Sequence, residues 1–398
     1  MIKRVYSILK KFIGITIGKN LQVSLYGFQL ASLRTIGVFY VLKKVLIFYS
    51  KTGGGHLRAA EAIAEGLQAT TPKLEVILVD GLAKNNFNLN FPDPGKTYGL
   101  LSHQLLWFYN LSYLLTNNPL GSSILRNLIH SIIGTSLHKT ISEISPNLIV
   151  STHFIISPGT INEYPKAIPF VTVVTDLINP HQIWFDKKSS MIITPTEKMA
   201  DYARELVDDT SGKNTVTLDY PIKNHFKTIS TKRGFSHTLL ILGGGVGSMQ
   251  MKKQIIELLK NLHDKKIIAV CGYNQPLKGY LEDLKDPRLK VFGFVHNMHE
   301  LIAASDIVLT KAGPAAIIEA AISKKPLIIT GWVGLQEKDN VQYVLEEKLG
   351  VYCPKVKKLP EAVENLYKNY PDFTAHRFKF TAGASKIALF LQEFFKIN

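Results

Sequence analysis

Two cysteines in 398 residues exclude a disulfide framework, and both Cys271 and Cys353 sit in apolar stretches. Buried free thiols in a reducing compartment are therefore expected. No Asp-x-Asp occurs anywhere, so the usual carboxylate pair for a divalent metal is missing, and no metal site is expected. No Cys or His spacing suits zinc, and no nucleic-acid-binding motif is present, so nucleic acid is not the expected partner despite the basic composition. No apolar run reaches the about 20 residues that a membrane-spanning helix requires. Aspartate and glutamate are absent from residues 1–44.

That last absence locates the charge. The chain carries 47 basic and 31 acidic residues, a formal charge of +16. Lys3, Arg4, Lys10, Lys11, Lys19, Arg34, Lys43 and Lys44 supply half of it. On a helical wheel Ile2, Val5, Tyr6, Leu9, Phe12 and Ile13 share one face and the basic residues the other. Such a face suits an amphipathic helix lying in an anionic membrane surface. An ordinary packed helix pair is the plainer alternative. A signal peptide is not expected, because lysines break the apolar stretch and no small-residue cleavage site follows. The expected location is peripheral, at the cytoplasmic face of a membrane.

From residue 45 onward, short apolar runs alternate with helical patterns. Strands are expected at 45–50, 74–80, 148–152, 170–175, 191–195 and 216–220. After a polar, basic joint near 228–236 they resume at 238–242, 266–271, 289–294, 306–310 and 326–330. This α/β order predicts two doubly wound, Rossmann-like domains facing a cleft, 45–230 and 231–374. A C-terminal helix within 375–398 is expected to pack back on the first domain. Ligands in such sheets gather at the carboxyl ends of the strands.

The motifs fall at those ends. Gly313 and Pro314 break the strand 306–310 and open a helix, whose free N–H groups and positive dipole end suit a diphosphate. Ala315 follows, and Glu319 one turn on is placed to bind ribose hydroxyls. Gln336, Glu337, Asp339 and Asn340 read as a loop that suits sugar hydroxyls. Gly243, Gly244, Gly245 and Gly247 follow the first strand of the second half, and would bracket a diphosphate opposite Gly313 if the two strands share a sheet. Asn274 is in reach of the same phosphates, and Phe294 and Val295 offer an apolar wall for a base. Together these read as a nucleotide-sugar site.

In the first half, Lys51-Thr52-Gly53-Gly54-Gly55-His56 joins strand to helix but lacks the Lys-Ser/Thr of a phosphate-binding Walker loop. Its glycines let Gly54 and Gly55 approach an acceptor closely. His56 is the candidate general base, with helix capping as the alternative. Asp176, at the end of 170–175, would orient His56 or bind the acceptor, or merely cap a turn. His181 and Trp184 would line an acceptor pocket or simply pack.

These blocks resemble glycosyltransferase family 28 of GT-B fold, and most of all the monogalactosyldiacylglycerol synthases and the bacterial processive diacylglycerol glucosyltransferases. The resemblance covers roughly residues 44–375. It rests on KTGGGH at 51–56, VVTDL with His181 and WF at 173–185, GGGVGSM at 243–249, and KAGPAAIIEA with QEKDN at 311–340. It implies transfer of a hexose from UDP-galactose or UDP-glucose to diacylglycerol with inversion, the UDP-sugar being a co-substrate and no cofactor being needed. On these motifs His56 matches the base, Glu319 the ribose-binding acid, and Gln336 with Glu337 the sugar-reading pair. Residues 243–247, 294–295 and 313–315 match the UDP contacts. Ala315-Ala316 and Lys338-Asp339 depart from the family pattern. Two alternatives stay open: an N-acetylglucosaminyltransferase acting on a polyprenyl-linked lipid, or a UDP-sugar epimerase, on the same fold, and a non-catalytic UDP-sugar-binding membrane protein.

Overall fold

The short runs rich in Val, Ile and Leu become parallel strands, fully buried at the sheet centres and only partly covered at edges such as 75–80 and 289–292. The computed structural model describes residues 44–51, 54–83, 106–226, 235–244, 250–374 and 381–396. The basic segment 1–43, Gly245 and Gly247 lie outside the described residues.

The first domain runs β1 (Lys44–Tyr49), α1 (Gly55–Thr70), β2 (Glu75–Asp80), α2 (Leu106–Thr116), α3 (Pro119–Ile144), β3 (Leu148–Ser151), β4 (Phe170–Val173), β5 (Met191–Thr194), α4 (Glu197–Val207) and β6 (Thr215–Thr217). The second runs β7 (Thr238–Leu242), α5 (Met251–Asn261), β8 (Lys266–Val270), α6 (Gln275–Glu282), β9 (Leu289–Phe292), α7 (Met298–Ala303), β10 (Ile307–Thr310), α8 (Pro314–Ile322), β11 (Leu327–Ile329), α9 (Leu335–Glu346), β12 (Gly350–Tyr352), α10 (Leu359–Lys368) and α11 (Tyr370–Thr374). The chain then returns as α12 (Gly383–Phe394).

The sheets are ordered β2-β1-β3-β4-β5-β6 and β12-β11-β10-β7-β8-β9, and every pairing within them is parallel. β10 pairs directly with β7, so the glycine loop after Leu242 and the Gly313 turn are neighbours at one sheet end. β12 is absent from the sequence reading because it is a three-residue edge strand opening on glycine. A Cβ at Gly350 would lie 2.0 Å from the Leu327 carbonyl, so only glycine allows that close pairing. Gln336–Asn340, read as a loop, forms the first turns of α9 instead.

α12 packs on α1, where Ile387, Ala388 and Leu391 join Ile63 and Leu67 in the core beneath the first sheet. Helix α1 carries Gly66 at this contact, and a Cβ there would sit 3.0 Å from both Ala384 O and Ala388 Cβ. Cys271 and Cys353 are buried free thiols. Replacing Gly66 with Leu would wedge the returning helix off the first domain. We expect a loss of about 1–3 kcal/mol, typical of overpacking, read as a lowered denaturation midpoint.

Candidate active site

The carboxyl ends of both sheets open on one cavity of about 420 Å³. The first domain contributes Gly54, Gly55, His56, Thr175, Asp176 and His181. Gly244, Phe294, Val295, Gly313, Pro314, Ala315, Gln336 and Glu337 face them from the second. Phe294 stacks on Tyr273 at 4.6 Å between centroids, giving the apolar wall a second ring.

His56 occupies the second residue of α1, after Gly54 turns the chain with φ 83°. Its Nδ1 lies 2.7 Å from the Thr152 carbonyl and 2.8 Å from Thr175 Oγ1. A carbonyl only accepts, so Nδ1 carries the proton and donates, which leaves the Nε2 lone pair available. The Thr175 hydroxyl in turn donates to Thr152 O, and is thus free to accept from Nδ1. Surrounding protein strips water from the ring and lowers its pKa to about 4, against the supporting bond from Thr152. His153 meets His56 edge-on at 4.5 Å, and burial holds it well below the ordinary histidine range. Both rings are therefore neutral at pH 7.

Asp176 does not orient His56. Its Oδ2 accepts from the Trp184 indole at 2.7 Å, while Thr152 and Thr175 hold the histidine. Desolvation lifts the Asp176 pKa to about 6 despite that bond, and the nearby Glu337 charge adds to the rise. Trp184 itself is buried to 1% exposure among Val174, Phe185 and Met199, so it positions Asp176 instead of facing an acceptor. His181 borders the cavity with both nitrogens engaged. Nδ1 accepts from Ile183 N at 3.1 Å, and Nε2 donates to Thr116 Oγ1 at 3.0 Å. It caps a short turn and fastens α2, as its low pKa of about 4 from burial agrees.

On the facing side, Gly244 turns with φ 72° beside Lys311. Asn340 is fully buried and its Nδ2 donates to Ala312 O at 2.9 Å. It braces the Gly313 turn and does not line the cavity. Asn274 is taken up in capping α6, where its Oδ1 accepts from Leu277 N at 3.0 Å. Asp339 accepts from Asn179 Nδ2 of the first domain at 3.1 Å, so it links the domains. Gln336 Oε1 is buried without a partner. Glu337 bonds Lys311 Nζ at 2.5 Å through one oxygen and Val333 N at 2.8 Å through the other.

Glu319 is 3% exposed, and its Oε2 lies 3.7 Å from Arg58 Nη1. That oxygen has no hydrogen bond, and burial raises the carboxyl pKa. Oε2 is thus a buried acceptor with an open lone pair, behind the cavity in a smaller pocket that Arg58 and Ala315 also line. Arg58 and Lys311, both at the cavity, were missed by sequence reading. Each sits at the edge of a motif already noted, Arg58 two residues after His56 and Lys311 at the head of the Gly313 block. Thr175 was also missed, although it precedes Asp176. Histidine nitrogen NMR should show His56 neutral, protonated at Nδ1, from pH 8 down to about 5.5. An imidazolium signal for His56 at pH 6 would contradict this environment.

Residues 56–217 match the family model for monogalactosyldiacylglycerol (MGDG) synthase, and residues 238–388 match the glycosyltransferase family 28 C-terminal domain. The chain is 28% identical over 355 residues to monogalactosyldiacylglycerol synthase 2, chloroplastic, of Arabidopsis thaliana, covering 83% of this chain and 75% of the relative. Synthase 1 of the same plant is 28% identical over 354 residues, covering 82% of this chain and 65% of the relative. Among solved structures, a spinosyn rhamnosyltransferase superposes with TM-score 0.57 at 12% identity over 89% of this chain and 100% of the other. The UDP-GlcNAc 2-epimerase from Neisseria meningitidis, bound to UDP-GlcNAc, gives 0.56 at 13% identity, again over 89% and 100%. The fold is GT-B, and most of it is accounted for by the monogalactosyldiacylglycerol synthase match at 56–217 followed by the glycosyltransferase family 28 C-terminal domain match at 238–388.

Proposed function

We propose that the protein is an inverting glycosyltransferase that moves a hexose from a UDP-sugar to the free hydroxyl of diacylglycerol. The observation that carries this is the His56 imidazole, fixed with its Nε2 lone pair in a cavity whose opposite wall is the Gly313 turn, Lys311 and Glu337. The relatives named as monogalactosyldiacylglycerol synthases support diacylglycerol as acceptor and galactose as the hexose.

In this reading Nε2 of His56 takes the proton of the acceptor hydroxyl. The oxygen bonds to the anomeric carbon while the bond to UDP breaks on the other face, so the configuration inverts. The hydrogen bond from Nδ1 to Thr152 O favours the imidazolium as it forms. Charge leaving with UDP is met by the first amides of α8 and by the Lys311 ammonium. Glu319 Oε2, buried and unbonded, takes the ribose hydroxyls, and Gln336 with Glu337 reads the sugar. Asp176 borders the same cavity, and its ionised form is present above about pH 6.

No Asp-x-Asp occurs, and among the described residues no group of His, Cys, Asp or Glu is arranged to hold a metal ion. We take the reaction to be metal-independent. No helix among the described residues is long and apolar enough to cross a membrane. A lipid acceptor, a UDP-sugar donor and reduced thiols together favour a peripheral enzyme at the cytoplasmic face.

Radiolabelled UDP-galactose and UDP-glucose, supplied in parallel with diacylglycerol and chelator, should give a labelled monohexosyl lipid, with galactose preferred. His56→Ala should lower kcat by about 10²–10⁴-fold while UDP binding persists. Activity lost to chelator and restored by divalent cation alone, or turnover unchanged in the His56 variant, would sink the mechanism. Lys311→Met should lower kcat by about 10²-fold or more, with a smaller change in the donor KM. A change confined to KM would limit Lys311 to ground-state binding.

A further inference from the structure

Arg58 is the only arginine or lysine of α1, and its charge is incompletely met. Its Nη1 stands 3.7 Å from Glu319 Oε2, within the range of an ion pair but beyond a hydrogen bond. Arg58 Nε and Glu319 Oε2 are both buried without a hydrogen-bond partner among the described residues. A guanidinium beside a carboxylate ordinarily closes on it with two short bonds. Here the two belong to helices of different domains, α1 and α8, and stop short of contact.

The gap opens into a space of about 40 Å³, room for about two or three oxygens of water size. Gly55, Arg58, Tyr220, Phe294, Val295 and Ala315 border both this space and the main cavity, so the two adjoin. Lys223 lines the small space too, but it is engaged by Glu65 at 3.0 Å, and Arg58 is the cation paired with Glu319. The position fits one part of a nucleotide. Phe294, stacked on Tyr273, offers a flat surface to a base, and the Gly313 turn with the first amides of α8 receives phosphates. The small space reaches both surfaces, through Phe294 and through Ala315. A pentose is what joins a base to its phosphates.

A hydroxyl group suits the gap in chemistry and in size. Its O–H donates to a carboxylate, and its oxygen accepts from a guanidinium. An oxygen about 2.8 Å from each of the two atoms closes a triangle on their 3.7 Å separation. A vicinal diol brings a second hydroxyl within reach of the remaining guanidinium donors.

We propose that Arg58 is a ribose-positioning residue that grips the diol of the UDP-sugar from the side opposite Glu319. The nucleotide then replaces a loose ion pair with a bridge between the domains. This inference rests on the UDP-sugar donor proposed above and adds a contact from the domain that carries His56. Arg58 lies two residues from His56, so one helical turn holds both the ribose clamp and the imidazole. The planar fork of arginine can meet a carboxylate and a hydroxyl together, which the point charge of lysine does less well.

Calorimetry on the full chain, with UDP and its 2′-deoxy and 3′-deoxy forms, tests the bridge. The wild type should bind UDP about tenfold or more tighter than at least one deoxy form. Arg58→Met should bring that pair to within about threefold, mainly by weakening UDP. Glu319→Gln should act alike, and the double variant should lose no more than either single one, because the bridge needs both ends. Arg58→Lys should fall between wild type and Arg58→Met. In transfer assays Arg58→Met should raise the donor KM with a smaller change in kcat. Weakening of UDP and both deoxy forms in equal proportion by Arg58→Met would overturn the proposal and leave Arg58 a structural ion pair. So would a UDP preference that survives Arg58→Met and is lost in Glu319→Gln, although the ribose role of Glu319 would then stand. Equal affinity for all three nucleotides in the wild type would overturn the bridge together with that role. No binding of any of them would overturn it together with the UDP-sugar reading itself.

Discussion

The proposed chemistry depends on one hydrogen bond, from His56 Nδ1 to the carbonyl of Thr152. It joins the start of α1 to the end of β3, and the Thr175 hydroxyl after β4 completes the seat. The Thr152 hydroxyl itself donates to Phe48 O of β1 and to His56 O. Three strand ends thereby fix the tautomer of one imidazole, using mostly backbone groups that side-chain substitution cannot easily remove. A low pKa is the natural consequence. A ring placed here is neutral by desolvation and ready to accept a proton, and its weak basicity is offset only where charge develops.

The same logic governs the facing domain, where the described acids at and behind the cavity have cationic partners. Arg58 faces Glu319 and Lys311 holds Glu337, so neither acid stands as an isolated buried charge, which would be costly. These pairs differ in what they leave open. Glu337 has both oxygens bonded, whereas Glu319 keeps one oxygen unbonded and Gln336 keeps its carbonyl oxygen unbonded. The Arg58–Glu319 pair also spans the domains, as do Asn179 and Asp339. Arg58 lies two residues from His56, so the Glu319 pair ties the facing domain to the helix that carries this imidazole.

Sequence reading recovered the double alternation of strands and helices because parallel strands buried on both faces are continuous apolar runs. It placed the Gly243 and Gly313 turns together by assuming one sheet, and β7 beside β10 is that arrangement. It went astray where side-chain direction decides. Asn340 and Asn274 carry polar groups at fitting sequence positions, yet one turns inward to Ala312 and the other caps its own helix. Trp184 lies in a motif block but is core, and its single donor explains why it is a tryptophan. Arg58 and Lys311 were invisible for the opposite reason. A lone cation next to a motif has no pattern of its own until the fold brings its carboxylate from more than twenty residues away.

Helix α2 is neither purely core nor purely surface. Tyr113 is 8% exposed and donates to Asn179 O, while Trp107 one turn and a half earlier is 66% exposed. Tyr109 approaches Gly334 of the second domain so closely that a Cβ there would lie 2.5 Å from its ring. Helix α2 thus touches three environments at once: solvent-facing apolar surface, acceptor chamber and donor-domain loop. A helix in that position cannot shift toward one without altering the others. Through Tyr109 it packs against Gly334, immediately before α9, where Gln336 and Glu337 stand.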